Sequence, residues 1–316
     1  MIGIFGANGF MGRHLLRRLA SRGDAVRAVS RHFDEQIRGA WPATVDFVEA
    51  DFRDPIGMAA ALDGLDVVVQ LVSTSSPASQ NRHATFDIQE NVLPHVAFMQ
   101  AAVDAGVRRY VFASSGGTVY GPGVATPTPE QAATNPICSH GLTKLTIENY
   151  LRMHATVDDL ETVILRIANA FGPEQVFRKG QGLIPAVLNR VSQCQPVQVV
   201  GDGTAVRDYV FIDDVVDALE AAAKRALPAT GVFNVGSGRG RTVVDVLDAL
   251  ERELGHAIER LHVPARRTDT DVSVLDISAA ASRLAWRPRI DFREGIRRTV
   301  AWWQASLVQP DGRRAA

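Results

Sequence analysis

The sequence predicts an α/β fold: a doubly wound parallel sheet, with a smaller C-terminal domain whose segments are interleaved with it. Short apolar segments alternate with segments of helical period through the first half of the chain. One of them, DVVVQLV at 66–72, is apolar along almost its whole length, which is typical of a central strand covered on both faces. A glycine-rich turn joins the first predicted strand to the first predicted helix. Repeated β and α units of this kind form a parallel sheet between two layers of helices.

The elements of the first half follow from these patterns. The first strand is IGIF at 2–5, and the first helix covers 10–23, where Met11, Leu15 and Leu19 share one face and Gly23 suits the end. Further strands are predicted at 25–30, 45–50, 66–72 and 109–115, with helices near 55–63 and 83–105.

The pattern becomes less regular in the second half. It predicts a helix over about 139–157, a strand at 162–168, a helix over 182–193, a strand at 208–214 leading into a helix over 213–227, a strand in 231–238, and helices over 243–255 and 293–304. We therefore predict a first domain over 1–168, to which later segments at about 200–235 contribute, and a second domain that is mainly 169–316.

Composition excludes several classes of protein. Among 316 residues, 34 Lys and Arg nearly balance 35 Asp and Glu, so no global field favours nucleic acid or a membrane surface as a partner. No apolar run reaches the ~18 residues of a transmembrane helix. Two cysteines, Cys138 and Cys194, are too few for a disulfide scaffold, and a cytoplasmic location is expected. The histidines have no ligand-type spacing, so no metal site is expected.

The turn GANGFMG has the features of a dinucleotide-binding loop in a Rossmann-type fold. Gly6 permits the tight turn, Gly9 lets the backbone approach a pyrophosphate, and Gly12 lets the helix pack closely on the sheet. The helix N-terminus then faces the anion. We predict that cofactor contacts also come from other residues of this turn and from the end of the central strand, namely Asn8, Phe10, Met11, Leu71 and Val72.

The end of the second strand indicates which cofactor binds. An acidic residue at this point favours NAD, whereas an arginine favours the 2′-phosphate of NADP. The sequence reads AVSRHF, with Ser30 and Arg31 and no acid before Asp34. A hydroxyl and a guanidinium suit a phosphate, so NAD(P) is expected with a preference for NADP. The alternative is that Arg31 is a surface arginine and NAD binds.

The spacing G-x-x-G-x-x-G resembles that of the extended short-chain dehydrogenase/reductase superfamily. Further stretches resemble its UDP-glucose 4-epimerase-like branch, whose members act on nucleotide-diphosphate sugars: SSGGTVYG (114–121), NPICSHGLTK (135–144), RIANAFGPEQ (166–175), VVGDGTAVRDYVFIDDVV (199–216), VFNVGSG (232–238) and PARRTDTDVSVLDISAA (264–280). The resemblance implies that Asp51, with Phe52 beside it, contacts the adenine and that Asn91 contacts the cofactor. It also implies a homodimer formed through helices at about 88–106 and 140–156.

The resemblance further implies a site for a UDP- or dTDP-sugar in the second domain. Asn169 resembles the family asparagine at the substrate diphosphate, and Arg207 and Arg266 resemble two arginines that clamp it. Taken singly, these would be a turn asparagine and solvated surface charges. A guanidinium can nevertheless hold phosphate oxygens bidentately. The segment 180–188 resembles the lining of the nucleotide base pocket.

The catalytic positions of the family are a Ser or Thr, a Tyr and a Lys, with the last two spaced Y-x-x-x-K on one helix. Lys144 matches the lysine and is also expected to contact the cofactor, but His140 occupies the tyrosine position. Gly116 occupies the Ser/Thr position, so Ser115 or Thr118 is expected to supply the hydroxyl, with Thr118 favoured. The spacing of four places His140 and Lys144 on one helical face.

Three interpretations of His140 follow. It acts as the proton-transfer base, since a neutral imidazole can accept a proton near neutral pH. It marks a lost base in a protein that still binds cofactor and sugar. Or it only packs at the helix start beside Cys138. A Cys138–His140 nucleophilic dyad has no supporting acyl-transfer signature.

The favoured function is a nucleotide-sugar 4-epimerase that oxidises C4 transiently and returns hydride to the opposite face. The alternatives are a nucleotide-sugar ketoreductase and a non-catalytic NADP-binding regulator. A 4,6-dehydratase is disfavoured, because the Asp-Glu pair of those enzymes is replaced by Gly117 and Thr118.

Overall fold

A computed structural model describes residues 1–33, 41–75, 84–177, 181–225, 230–264 and 271–308. The strands in these ranges are β1 (Ile2–Phe5), β2 (Val26–Ser30), β3 (Val45–Glu49), β4 (Val67–Gln70), β5 (Arg109–Ser115), β6 (Glu161–Ile167), β7 (Asn169–Phe171), β8 (Val197–Val200), β9 (Val206–Phe211), β10 (Gly231–Val235), β11 (Gly240–Thr242), β12 (Arg260–Val263) and β13 (Val272–Ser273). The helices are α1 (Phe10–Ser21), α2 (Pro55–Leu62), α3 (Leu93–Asp104), α4 (Ser139–Val157), α5 (Leu183–Ser192), α6 (Ile212–Lys224), α7 (Val243–Leu254), α8 (Ser278–Arg283) and α9 (Phe292–Val308).

The main sheet confirms the predicted Rossmann-type architecture. Within the described ranges it has seven strands in the order β10-β6-β5-β4-β1-β2-β3, and every neighbouring pair is parallel. The chain order reverses between β1 and β4, and ligands of such sheets bind in the crevice beyond the carboxyl ends of the strands at this point. Phe5 and Gln70 are paired across β1 and β4, so Gly6 and Leu71 leave the sheet side by side.

Two hydrophobic clusters cover the two faces of this sheet. Ile4 belongs to one cluster and Phe5 to the other, because successive strand residues point to opposite faces. The Ile4 cluster includes Leu15 of α1 and Leu219 of α6. The Phe5 cluster includes Met99 of α3 and residues of α4. Both faces are therefore buried, which explains the nearly continuous apolar character of β4.

A second sheet is built around β9. Strand β11 pairs antiparallel with β9, whereas β7 and β13 pair parallel with it. Aromatic rings from β7, β9 and α9 (Phe171, Tyr209, Phe211 and Phe292) pack against one another over this sheet. Strand β10, by contrast, joins the main sheet beside β6, and α6 packs against α1. A third, two-stranded sheet pairs β8 with β12.

The predicted helix over 83–105 is not one regular α-helix, and residue 83 lies outside the described ranges. A helical turn at Ala84–Asp87 leads into a π-helical segment at Ile88–Val92, which continues into α3. Leu93 N donates to Ile88 O, five residues back, and the following Pro94 has no N–H to donate. π-helical turns are frequent at functional sites.

Several elements of the second half were not predicted, namely β7, β8, β11, β12, β13 and α8. Each has only two to six residues, too few to show a period. Among the described helices, none combines the length and apolar character needed to cross a membrane.

Candidate active site

The glycine-rich turn lies at the switch point of the main sheet. Gly6 has φ of +86°, and a Cβ there would lie 3.2 Å from Val72 N. A Cβ at Gly12 would lie 2.2 Å from Gly6 O, so the helix can approach the turn only because residue 12 is glycine. Gly9 N donates to Gly6 O, and Gly9 begins α1 without a capping side chain or an acid in the first turn. This backbone cradle fits the pyrophosphate of a dinucleotide.

Asn8 ties the turn to the loop after β2. Its amide donates to His32 O, and its Oδ1 accepts from Arg13 Nε, both at 3.0 Å. Ser30 ends β2, and Arg31 follows it as an exposed side chain that forms no ion pair among the described residues. The hydroxyl and guanidinium predicted to meet the adenosine ribose thus lie next to the cradle. Phe10 and Met11 begin α1 and are half-buried against the Ile4 cluster.

Asp51 follows β3 at the same edge of the sheet. Its carboxylate accepts hydrogen bonds from Arg53 N at 2.9 Å and from Arg53 Nη2 at 2.8 Å. These bonds lower the pKa of Asp51 to about 2, so the group is ionised at neutral pH. Phe52 points inward instead, with its ring 5.0 Å from that of Phe98.

Asn91 shapes the loop that follows β4. Its Oδ1 accepts from Thr74 N and its Nδ2 donates to Thr74 Oγ1, both at 2.9 Å. Asn91 lies in the π-helical segment and is 1% exposed. The next residue of the loop, Ser75, is also buried, and its Oγ lies 2.8 Å from His140 Nδ1. Asn91 therefore holds the loop that presents a hydroxyl to His140.

His140 lies in the first turn of α4 and is 8% exposed. Burial, followed by the charge of Lys144, lowers its pKa to about 3. The imidazole is therefore neutral at physiological pH. The Nδ1 atom of His140 is hydrogen bonded to Ser75 Oγ, whereas Nε2 has no hydrogen-bond partner among the described residues. Ser75 therefore fixes the imidazole through one ring nitrogen only.

Lys144 lies one turn further along the same face of α4. Its Nζ donates to Ala113 O at 2.8 Å and lies 4.7 Å from the centre of the Phe112 ring. Burial lowers its pKa to about 8, and the negative charge of Glu148 opposes that shift. The ammonium is thus still mostly protonated at pH 7, held against the end of β5.

A buried ion pair that the sequence analysis did not identify supports this face of the helix. Glu148 is 0% exposed and Arg166 of β6 is 1% exposed, and Arg166 Nη2 donates to Glu148 Oε2 at 2.7 Å. Ser114 Oγ also donates to Glu148, and the Arg166 guanidinium lies 4.7 Å from the centre of the Tyr120 ring. Glu148 is four residues after Lys144, so helical spacing was a signal for it.

The turn after β5 supplies the candidate hydroxyls. Thr118 Oγ1 is buried and has no hydrogen-bond partner among the described residues. Thr118 lies against the start of α4, because a Cβ at Gly141 would come within 2.6 Å of Thr118 O. Ser115 is half-buried at the end of β5. A buried hydroxyl without a partner costs ~1–3 kcal/mol, which makes Thr118 a candidate for a functional role.

Gly116, at the family's Ser/Thr position, has no room for a side chain. A Cβ there would lie 2.5 Å from Leu275 Cδ1 and 3.0 Å from Arg166 O. The same Leu275 donates its N–H to Asp208 of β9, so the second sheet abuts the catalytic turn at this point. Ser115 and Thr118 therefore stay the candidates for the hydroxyl.

The second sheet carries two of the predicted substrate residues. Asn169 begins β7 and donates its amide to Asp208 O at 2.9 Å. Arg207 is half-buried in β9 and donates to its neighbour Val206 O. Arg266 lies outside the described residues. The predicted base-pocket segment 180–188 is described from residue 181 onward, and its later part forms the start of α5. Within the described ranges, no cluster of His, Cys, Asp and Glu is suited to a metal ion.

Comparison with known proteins identifies the family of the chain. Residues 2–236 match the family model described as NAD dependent epimerase/dehydratase family. A UDP-glucose 4-epimerase of Mycolicibacterium smegmatis is 33% identical over 95% of this chain and 97% of its own length. A dTDP-4-dehydro-6-deoxyglucose reductase of Escherichia coli is 33% identical over 75% of this chain and 74% of its own length.

Solved structures show the same relationship. The UDP-glucose 4-epimerase of Thermotoga maritima, solved with UDP-glucose, is 31% identical and superposes with a TM-score of 0.89, covering 97% of this chain and 99% of that one. The UDP-glucose 4-epimerase of Thermus thermophilus, solved with NAD, is 29% identical with a TM-score of 0.88, covering 96% and 99%. The chain therefore belongs to the NAD dependent epimerase/dehydratase family and, within the extended short-chain dehydrogenases/reductases, to its UDP-glucose 4-epimerase-like members.

Proposed function

We propose that this protein is a nucleotide-diphosphate-sugar 4-epimerase in which His140 performs the proton transfer that a tyrosine performs in related enzymes. The observation that supports this most is the neutral, buried imidazole of His140, fixed by Ser75 and placed one helical turn from Lys144. The buried hydroxyl of Thr118 has no hydrogen-bond partner among the described residues, and the Thr118 backbone lies against the start of the same helix.

A nicotinamide dinucleotide, when bound, supplies a hydride acceptor that becomes the hydride donor for the return step. The backbone cradle at Gly6, Gly9 and Gly12 fits its pyrophosphate. Asp51, ionised and fixed by Arg53, is suited to accept from the adenine amino group.

Ser30 and Arg31, which forms no ion pair among the described residues, support NADP over NAD. The test is the affinity of the protein for each dinucleotide, measured on the wild type and on Arg31→Ala. We expect Arg31→Ala to weaken NADP binding and to leave NAD binding unchanged. Equal loss for both dinucleotides would contradict the assignment.

The proton leaves the sugar C4 hydroxyl as hydride leaves the C4 carbon. We assign the tautomer in which His140 Nδ1–H donates to Ser75 Oγ, 2.8 Å away, so that the lone pair of Nε2 accepts the proton. Imidazole is shorter than phenol, so we place Thr118 Oγ1 between the sugar oxygen and the ring, where its hydroxyl passes the proton on. In the second half-reaction the proton returns along the same route to O4.

Lys144 controls the charge of this site. Its ammonium opposes a second positive charge at His140, which keeps the imidazole in the neutral form that has a free lone pair but also lowers its basicity. The same charge favours the developing negative charge on O4. Because both groups are buried, this interaction is weakly screened by solvent.

The substrate diphosphate is placed at the second sheet. Asn169 and Arg207 lie on neighbouring strands there, and Arg266 is proposed as the second cationic group. The T. maritima relative was solved with UDP-glucose, so a UDP-sugar is the first substrate to examine, with a dTDP-sugar as the next.

Incubation with UDP-glucose, UDP-galactose and their N-acetyl forms, followed by chromatographic separation of epimers, tests the activity directly. Interconversion without net change in cofactor absorbance supports a 4-epimerase. Tight binding of these nucleotide sugars with no interconversion of any of them would overturn the proposal.

A nucleotide-sugar ketoreductase is the second candidate, because the E. coli relative of similar identity is a dTDP-4-dehydro-6-deoxyglucose reductase. Net consumption of NADPH with a keto-sugar nucleotide would identify it. A non-catalytic NADP-binding regulator, suggested by His140 and Gly116, would instead bind dinucleotide and fail to bind UDP in calorimetry.

We also propose a homodimer. The helices expected to form it expose large apolar side chains, including Leu93 of α3 and Met153 and Val157 of α4. Covering such a surface with the same surface of a second copy gives a closed, twofold interface. Light scattering should report twice the 34.2 kDa chain mass. The double variant Met153→Glu, Val157→Glu should have the mass of a single chain.

A further inference from the structure

A cavity of about 570 Å³ lies in the second half of the fold, between α7, α9 and the loop that joins β10 to β11. It is lined by five arginines, Arg239, Arg241, Arg252, Arg289 and Arg293. We call it the arginine cavity. None of its lining residues belongs to the glycine cradle, to the His140 face of α4 or to the predicted diphosphate clamp.

The arginines of this cavity differ from most others in the part of the chain that the structure describes. Elsewhere arginines form ion pairs with carboxylates, as Arg18 does with Asp217 and Arg260 does with Glu251. Among the described residues, no arginine of the cavity forms such a pair. Arg252 Nε donates to Asp248 O, a backbone acceptor within its own helix. Hydrogen bonds from Thr242 lower the pKa of Asp245, and Arg241 and Arg252 help to lower it through their charge, without a direct ion pair. Five guanidinium groups around one cavity also repel one another, and a bound anion stabilises them.

The acidic residues of the cavity do not neutralise it. Asp245 accepts from Thr242 N, and Asp291 accepts from Glu294 N, so both carboxylates cap helices. Together with Glu253 they bring three negative charges against five positive ones, and the lining keeps a net charge of +2. The cavity is therefore matched to a ligand that carries more than one negative charge.

One arginine is held in position by an aromatic ring. The Arg241 guanidinium lies 5.4 Å from the centre of the Phe292 ring, and that ring packs on Tyr209. Stacking orients the planar guanidinium while leaving its N–H groups to bind an anion, and a guanidinium binds phosphate through two parallel hydrogen bonds. This arginine is thus arranged before a ligand arrives.

We propose that the arginine cavity binds a small molecule that carries two or more phosphate groups, at a site separate from that of the nucleotide sugar. Its volume accommodates a pyrophosphate together with an attached organic group. Arg241 is paired in register with Arg207 across β11 and β9, so the cavity adjoins the proposed diphosphate clamp. The experiment must therefore separate the two sites.

The test is calorimetric titration of the full chain with inorganic pyrophosphate and tripolyphosphate while UDP is present in excess. We expect saturable binding that weakens with salt, and a loss of affinity of about tenfold or more in Arg289→Ala and in Arg293→Ala. Both side chains lie outside the hydrophobic clusters, so their removal leaves the core unchanged. The matched control is Arg287→Ala, since Arg287 is an exposed arginine of the same segment that does not line the cavity. This variant should bind pyrophosphate with the affinity of the wild type.

Four results would overturn the inference. The first is that neither polyphosphate binds, and the second is that Arg287→Ala weakens polyphosphate binding as much as Arg289→Ala does. The third is that excess UDP abolishes the binding of pyrophosphate, and the fourth is that citrate binds more tightly than pyrophosphate. The proposal rests on the proposed function only in calling the two sites separate. If the protein fails to bind UDP, Arg207→Ala replaces UDP as the means of removing the clamp, and the pyrophosphate titration is still decisive.

Discussion

Removing the charge of Glu148 should strongly destabilise the protein, because it would leave Arg166 as an unpaired buried cation. The two side chains are 0% and 1% exposed, and Arg166 donates to both carboxylate oxygens at 2.7–3.2 Å. Breaking a buried pair by removing one partner costs about 3–5 kcal/mol. Glu148→Gln keeps the shape and one acceptor oxygen, so we expect about 3 kcal/mol, at the lower end of that range.

Urea denaturation followed by circular dichroism measures this loss of unfolding free energy. The loss is obtained from the shift of the urea midpoint, provided that the slope of free energy against urea concentration is unchanged. Arg152→Ala is the matched control, since Arg152 approaches the same carboxylate at 3.4 Å but is 46% exposed. It should cost less than about 1 kcal/mol. Arg166→Met added to Glu148→Gln should recover part of the loss, because the uncompensated charge is then gone.

The same substitution connects the ion pair to the active site. Glu148 raises the pKa of Lys144 against the effect of burial, so Glu148→Gln should lower that pKa further below 8. The basic limb of the rate profile should then move to lower pH. A Glu148→Gln variant as stable as Arg152→Ala, with an unmoved basic limb, would show that Glu148 neither stabilises Arg166 nor acts on Lys144.

Three further predictions follow from the geometry of the site. Because the pKa of His140 is about 3 and that of Lys144 about 8, kcat should be flat from about pH 5 to pH 7 and fall above about pH 8; an acid limb near the ordinary histidine pKa of ~6.5 would contradict this. Thr118→Val should lower kcat by about 10²–10⁴-fold with little change in KM. Its urea midpoint should be equal to or above that of the wild type, because the substitution removes a buried hydroxyl that has no partner among the described residues. Gly116→Ser should cost about 1–3 kcal/mol by overpacking, whereas Gly117→Ser, where a Cβ meets nothing within 4 Å, should be neutral; equal urea midpoints for the two variants would show that position 116 is not crowded.

Local spacing predicted the parts of the site that lie on one element. A spacing of four placed His140 and Lys144 on one face of α4, and the structure places both there. The strand, turn and helix around Gly6, Gly9 and Gly12 were predicted from the same kind of local pattern. The strands and helices of the main sheet followed from their hydrophobic period, and they begin and end within a few residues of the predicted limits.

Contacts between distant segments were not predictable in this way. Ser75 is 65 residues from His140 in the chain, and it arrives there through a loop that Asn91 holds from a π-helical segment. The crowding of Gly116 depends on Leu275, which comes from the second half of the chain. Glu148 continues the spacing of Lys144, but its partner Arg166 lies on another element. The short strands around β9 are too brief to show a period.

The site suits an imidazole at residue 140. Ser75 Oγ lies 2.8 Å from Nδ1 and is itself buried, so a tyrosine, whose ring has no nitrogen, would lose this hydrogen bond. The most direct test is the epimerisation rate of the wild type, His140→Gln and His140→Tyr on the same UDP-sugar panel. We predict that His140→Gln loses at least about 10²-fold in kcat and that His140→Tyr also falls below the wild type. A large gain in kcat for His140→Tyr would contradict the account and identify His140 as the loss of the family's base.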